Sequence, residues 1–310
     1  MGRPRTIAYG YHLNQRINLQ RITRKPSMSA DNSEQIAEWN GALGQRWATM
    51  QREIDGIVVP FGYAALKAAA PQSGERVIDI GCGCGDTTIE IARIVGGEGA
   101  VLGVDVSQPM LEVARSRAAL AMSAHLRFLD GDASEAELPA NNDLLFSRFG
   151  VMFFSHPSPA FSHLRKSLRT GGRCVFVCWR APRDNGWAMT PLSAARTAMG
   201  ITPPPADPDA PGPFAFANEE RVRAILSGAG FDAIDVQRFD TAISLGATPR
   251  SAAEGAVRIG PVSRLVREVG VEHLPIIIDA VEHALAPLAA PDGHVSLSGS
   301  TWIVSATNPT

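Results

Sequence analysis

No stretch of the chain approaches the ~18 to 20 uninterrupted apolar residues that a membrane-spanning helix needs, and nothing near Met1 has the apolar core of a secretory signal. The expectation is a cytoplasmic protein without stable membrane insertion. Cysteine is scarce as well. Cys82 and Cys84 stand between glycines, and Cys174 and Cys178 lie in an apolar, strand-like run, so neither pair forms a zinc hook or belongs to a disulfide framework. They are expected to be small buried thiols, with no metal bound. Nor is there an excess of charge: 29 Lys plus Arg face 31 Asp plus Glu, a formal net charge of -2. With 45% apolar and 19% charged residues, the composition argues against wholesale disorder and against nucleic acid as a partner.

A chain of 310 residues holds one large domain or two small ones. Its first thirty residues stand apart, with Arg3, Arg5, Arg16, Arg21, Arg24 and Lys25 but no acid before Asp31. Without those six, the remaining 23 basic groups against 31 acids give the rest a formal charge of -8. Residues 1–30 have no amphipathic period, so they read as a poorly ordered leader or as an upstream extension of a chain starting at Met28. An arm for anionic surfaces and a targeting peptide are the alternatives.

Residues 31–71 read as an N-terminal helical cap: one helix from Ser33 to Met50, with Ile36, Trp39, Leu43 and Trp47 at helical spacing, and a second, broken by Pro60, running to Ala70. From residue 72 onward, short β-branched runs alternate with amphipathic stretches, the grammar of a doubly wound α/β sheet covered on both faces. Strands are expected at 76–80, 101–105, 125–129, 143–147 and 173–179, with helices at 86–95, 109–121 and 159–168 between them. Residues 181–217 hold Pro203, Pro204, Pro205, Pro208, Pro211 and Pro213 and read as a loop insertion long enough to cover a site. A helix at 219–229, a strand at 233–239, a helical insertion at 249–288 and a last strand at 295–306 complete the domain.

The chemistry concentrates in Asp79-Ile80-Gly81-Cys82-Gly83-Cys84-Gly85-Asp86, where a buried strand opens through a glycine-rich turn into a helix. Glycines let backbone approach a ligand closely, and the helix N-terminus offers free N–H groups. A dinucleotide loop is G-x-G-x-x-G; here the third glycine falls one position early, which disfavours a nicotinamide oxidoreductase. Asp79, inside the strand, suits a ligand with a cation near the loop. Asp105, twenty-four residues after Gly81, closes the second strand where a carboxylate takes ribose hydroxyls. Gly131-Asp132-Ala133 puts a third acid at the end of the third strand, able to accept from an adenine amino group.

These segments resemble the class I, Rossmann-like S-adenosylmethionine-dependent methyltransferases. Asp79 to Gly85 looks like the family's first motif, Gly103-Val104-Asp105-Val106-Ser107 its second-strand acid motif and Asp130-Gly131-Asp132-Ala133 its adenine-contacting motif. Ser147-Arg148-Phe149-Gly150-Val151-Met152-Phe153-Phe154, Leu168 to Arg173 and Val177-Cys178-Trp179 are similar to a bacterial subgroup near the ubiquinone/menaquinone-type enzymes. The resemblance implies a mostly parallel seven-stranded sheet with a reversed last strand, and S-adenosyl-L-methionine as cofactor. It also implies roles. Gly81, Cys82, Gly83 and Gly85 would cradle the methionine part, Asp79 would order the loop near the ammonium, and Asp105 would hold the ribose. Val106 and Met110 would pack on adenine beside Gly131, with Asp132 and Ala133 contacting its edge. The Ser147 carbonyl would face the ammonium, and Trp47 would cover the cofactor.

Methyl transfer from a sulfonium mostly needs alignment, which can supply up to ~7 to 11 kcal/mol. A dedicated base is optional. His156 and Asp184 are the candidates. The fourth strand ends without the Asn/Asp-Pro-Pro-aromatic tetrapeptide of nucleobase amino-methyltransferases. Arg148 could receive an acidic substrate or pair with a structural carboxylate, while Phe149 and Trp187 could wall an acceptor site or belong to the core. The expected enzyme is a methyltransferase for a small, apolar or aromatic acceptor, under a lid of the N-terminal helices and the two insertions. A non-catalytic S-adenosylmethionine-binding module is the alternative. The late insertion reads equally as a homodimer surface.

Overall fold

A computed structural model describes residues 32–121, 125–202, 207 and 210–309. The basic leader, Pro203 to Pro205 and Pro208 lie outside the described residues. In chain order the elements are α1 (Ser33–Asn40), α2 (Ala42–Thr49), α3 (Gln51–Ala69), β1 (Arg76–Ile80), α4 (Asp86–Val95), β2 (Ala100–Asp105), α5 (Gln108–Leu120), β3 (Leu126–Asp130), β4 (Asn142–Arg148), α6 (Pro157–Arg165), β5 (Leu168–Trp179), α7 (Gly186–Ala198), α8 (Glu219–Gly228), β6 (Asp232–Gly246), α9 (Pro249–Ala256), α10 (Pro261–Val269), α11 (Leu274–Leu285) and β7 (Val295–Thr307).

The seven strands form one sheet in the order β3-β2-β1-β4-β5-β7-β6. β1 to β5 pair in parallel, and β7 inserts antiparallel between β5 and β6. The order reverses at β1/β4, so the carboxyl ends of those two strands flank the crevice where ligands of such sheets bind. Both central strands are almost wholly buried, as continuous apolar runs must be when helices cover both faces. Among the described residues no helix is long and apolar enough to cross a membrane.

Three differences from the sequence reading have physical causes. The helix expected from Ser33 to Met50 is two, because the chain turns at Gly41 (ψ -149°) and α2 folds back over the end of α1. A Cβ at Gly44 would stand 1.8 Å from the Trp39 carbonyl oxygen, so that close approach needs glycine. Pro60 does not break α3. Its ring removes the hydrogen bond to the Gly56 carbonyl, but Gly56 is exposed, while Ile54, Phe61, Ala65 and Ala69 hold the other face in the core. α3 lies against β4, β5, β6 and β7, so it is a layer of the wound domain rather than part of a separate cap.

The third difference is α7, which occupies Gly186 to Ala198 inside the stretch read as loop. Ala188, Pro191, Leu192 and Ala195 bury one of its faces. With α9, α10, α11 and Val295 it builds a second apolar core, apart from the one around the sheet. Both the loop after β5 and the insertion after β6 leave from the carboxyl edge, so this helical body stands over the same edge as the glycine turn. A groove of about 740 Å³ runs along α7, lined by Met189, Thr190, Ser193, Ala194, Ala280 and His283 among others; no residue of the glycine turn reaches it.

Candidate active site

The glycine turn is held from beneath by β2. Gly81 and Cys82 donate their N–H groups to the Val104 carbonyl at 2.8 and 3.1 Å, and the Gly83 N–H donates to Asp105 Oδ2 at 2.8 Å. Gly81, Gly83 and Gly85 all have positive φ (66°, 55° and 79°), the region that side chains other than glycine rarely adopt. Close neighbours reinforce the requirement: a Cβ on Gly83 would come within 2.8 Å of Met110 Cε, and one on Gly85 within 3.0 Å of Ala114 Cβ. The Cys82 thiol turns toward Gly103 on β2, and burial pushes it far above the ordinary thiol range. Burial pushes the Cys84 thiol up to about 12. Neither thiol is a nucleophile near neutral pH.

Three acids stand at the carboxyl ends of the strands. Asp79 is fully buried; its Oδ2 accepts from the Thr87 and Thr88 hydroxyls at 2.8 and 2.7 Å, while its Oδ1 has no hydrogen-bond partner among the described residues. Burial raises its pKa to about 6, against the opposing pull of those two hydroxyls. Asp105 accepts from Ser107 N–H on Oδ1 (2.8 Å) and from Gly83 N–H on Oδ2, and burial raises its pKa too. Each of its oxygens keeps a lone pair for a further donor. Asp132 follows Gly131, whose N–H bonds the Asp105 carbonyl at 3.0 Å, and accepts from Ser134 N–H at 2.9 Å and from the Asn32 amide. Ala133 is buried beside it.

α1 and α2 close over this edge. Asn40 donates to the Val106 carbonyl (2.7 Å) and accepts from Gln108 N–H (3.0 Å), while the Ser107 hydroxyl donates to the Trp39 carbonyl (2.8 Å). Trp39 stands edge-on between Trp47 and Phe153, with centroids 5.5 Å from each. Arg46 donates to the Arg258 carbonyl (3.3 Å) and Arg267 pairs with Glu38 (3.4 Å), so the N-terminal helices and the late insertion touch each other.

The other side of the crevice is the turn after β4. Ser147 is buried, donates its hydroxyl to the Ile80 carbonyl at 2.8 Å and accepts from Gly150 N–H at 3.2 Å. Phe149 takes φ +63°, a strained conformation for an aromatic residue, and lies flat on Trp179 (4.4 Å between centroids, 11° between planes). Trp179 continues to Trp187 at 5.0 Å and Phe61 at 5.0 Å, forming an aromatic row. Trp187 Nε1 donates to Asn185 Oδ1 at 3.2 Å, and Gly260, at the head of α10, lies against the ring.

Three further sequence-based candidates lie outside the glycine turn. The Arg148 guanidinium pairs with Asp86 at 2.9 Å and Asp55 at 3.2 Å, as in the structural-carboxylate alternative. Asp184 accepts from Arg180 at 3.1 Å, so its carboxylate is held in an ion pair. His156 is exposed at the head of α6.

Asn32, Asn40, Asp55, Arg117 and Asn185 were not singled out from the sequence. Asn185 lies between two residues that were, Asp184 and Trp187.

The methyltransferase-domain family matches residues 77–172. Among curated proteins the chain is similar to aklanonic acid methyltransferase DauC of a Streptomyces species, 32% identical over 137 residues, which cover 44% of this chain and 62% of that protein. It is 28% identical over 147 residues to the ubiquinone/menaquinone biosynthesis C-methyltransferase UbiE of Azotobacter vinelandii, covering 47% of this chain and 53% of that protein. The chain thus spans between half and two thirds of the length of these relatives. Among solved structures, YcgJ of the Bacillus subtilis organism aligns with a TM-score of 0.54 at 20% identity, over 80% of this chain and 98% of that one. Phosphoethanolamine N-methyltransferase 2 of Haemonchus contortus aligns with a TM-score of 0.55 at 18% identity, over 89% of this chain and 59% of that one. At such identities these two alignments speak for the fold.

Proposed function

We propose that the chain, which carries a match to the methyltransferase-domain family, is a class I S-adenosylmethionine-dependent methyltransferase that transfers a methyl group to a small, apolar or aromatic acceptor held between the N-terminal helices and the late insertion. The observation that carries this reading is the Gly83 N–H bonded to Asp105 at the switch point, with the unpartnered Asp79 oxygen behind the same turn. That donor set suits a ribose beside a cation.

S-adenosylmethionine, when bound, supplies a methyl group already activated on a sulfonium. In this reading Gly81, Cys82, Gly83 and Gly85 present backbone to its methionine part, and Asp79 offsets the ammonium charge. The Ser147 carbonyl faces the same group. The lone pairs left on Asp105 receive the ribose hydroxyls, Val106 and Met110 pack on the adenine, and Gly131, Asp132 and Ala133 line its edge. Trp47, through Trp39, excludes water from above.

The acceptor rests against Phe149, stacked on Trp179, and Trp187, tilted against the same ring. Since Asp184 is paired and His156 exposed, alignment rather than a protein base carries the rate in this reading. The relatives named for aklanonic acid and for ubiquinone and menaquinone biosynthesis support a small-molecule acceptor of this kind. We place the protein in the cytoplasm. Incubation with labelled S-adenosylmethionine and a panel of phenols, quinols and enolic acids tests the reading. Methylated product with release of S-adenosylhomocysteine is expected; donor binding without turnover on any acceptor of the panel would argue for a non-catalytic module.

A further inference from the structure

We propose that Asp55 is a positioning residue for the donor, acting through a closed ring of four charges with Arg148, Asp86 and Arg117; the role rests on the donor reading above. Asp55 Oδ1 accepts from Arg148 at 3.2 Å and its Oδ2 from Arg117 at 3.1 Å. Asp86 closes the ring, accepting from Arg148 at 2.9 Å and from Arg117 at 3.1 Å. Each carboxylate therefore bridges both guanidiniums. The four side chains come from α3, β4, α4 and α5, and their exposures lie between 12% and 29%, so solvent screens the ring weakly.

The ring's outward contacts go to the parts that hold the donor. Arg117 also donates to the Cys84 carbonyl at 2.8 Å, inside the glycine turn. Asp86 is the residue that follows Gly85 and opens α4. Arg148 lies between Ser147 and Phe149, so its anchorage fixes the turn that crosses Gly81. α3 makes room for it at Gly62, where a Cβ would come within 3.0 Å of Arg148 Cδ. A ring of this kind is weak as a source of net stability, yet removing one carboxylate leaves two guanidiniums facing a single acid and shifts what they hold. What they hold is the donor turn.

The test is calorimetric titration of full-length protein with S-adenosylhomocysteine, for wild type, Asp55→Asn, Asp55→Glu and Arg117→Lys, below the melting temperature of each. Asp55→Asn is expected to raise the dissociation constant about tenfold, mid-range for residues coupled in one ion-pair network, with partial recovery in Asp55→Glu. Arg117→Lys keeps the charge but loses the planar fork that reaches both acids and the Cys84 carbonyl, so it should weaken binding similarly and serves if Asp55→Asn does not fold. Variants that melt earlier but bind within twofold of wild type would reduce the ring to a structural brace and overturn the proposal. Failure of wild type itself to bind would instead overturn the donor reading.

Discussion

Gly81 and Gly150 meet backbone to backbone. A Cβ on Gly81 would fall 2.7 Å from the Gly150 Cα, and one on Gly150 would fall 2.6 Å from the Ile80 carbonyl oxygen. The two turns that flank the switch point are thereby locked face to face. Gly81→Ala meets both the steric contact and an unfavourable φ of 66°, whereas Gly150, at φ -77°, meets the contact alone. Each substitution is expected to destabilise the protein by about 1 to 3 kcal/mol, Gly81→Ala more, read from denaturant unfolding. Equal stability of wild type and Gly81→Ala would mean the turns are not in contact.

Asp79 should impose opposite pH dependences on stability and on donor binding. Its pKa in the folded protein, about 6, lies above the ordinary 3.8, so the native state holds the proton more tightly than the unfolded chain. Its contribution to stability is therefore full below about pH 4, falls as pH rises to about 6 and is flat above. Asp79→Asn removes that fall and should stabilise the free protein at pH 7.5 relative to pH 4 by up to about 3 kcal/mol, since one pKa unit is ~1.4 kcal/mol.

An ammonium ligand instead needs the ionised carboxylate. Affinity for S-adenosylhomocysteine should then drop as pH falls below 6, approaching tenfold per unit. In Asp79→Asn it should be weak at pH 7.5 and fall less steeply than in wild type over the same range. Asp105, whose pKa is also raised, acts in the same direction, so the difference between wild type and Asp79→Asn isolates Asp79. Parallel pH profiles for the two proteins would remove Asp79 from the donor site.

Asn185 should fix Trp187. Its amide, on a residue with no solvent exposure, donates to the Arg180, Ala181 and Ser300 carbonyls and accepts from Ser300 N–H and Trp187 Nε1. Only a side chain with both donors and an acceptor meets that set. Asn185→Asp sets a carboxylate against three carbonyls and should lower stability by about 2 to 4 kcal/mol, as for a buried network left unsatisfied. Near-ultraviolet circular dichroism from the Trp179 and Trp187 pair should weaken in the folded variant. An unchanged spectrum would show that the ring is set by packing against Gly260 instead.

The contact between Glu38 and Arg267 is exposed and should matter little for global stability. Arg267→Ala is expected to shift it by less than about 0.5 kcal/mol. Amide hydrogen exchange in α1 should nevertheless quicken, because this pair, together with Arg46 on the Arg258 carbonyl, ties α1 and α2 to the insertion. Unchanged exchange there would show that Trp39 and Asn40 alone hold the cover down.

Much of the parallel sheet was readable because its signals are local. Val77, Ile78 and Ile80 followed by three alternating glycines mark both the end of β1 and the start of α4, and the boundaries 76–80 and 86–95 match the structure. Asp105 was readable because its partner, Gly83, lies in the same motif set. What escaped was set by distant partners. Arg148 carries no sign that Asp55, 93 residues earlier, awaits it. α7 was hidden by the density of prolines after it and by Pro191 within it, although Ala188, Leu192 and Ala195 keep helical spacing. The turn at Gly41 depends on Gly44 passing Trp39, a contact that no periodicity reports.

The most direct test of the donor assignment is calorimetric titration of the full chain with S-adenosylmethionine, S-adenosylhomocysteine and NADH, repeated on Asp105→Ala. The proposed reading predicts binding of the first two and not of NADH, weakened at least about tenfold in the variant, which loses the anchor of Gly83 and the carboxylate proposed to receive the ribose. Preference for NADH, or an affinity for S-adenosylmethionine that Asp105→Ala leaves unchanged, would contradict it.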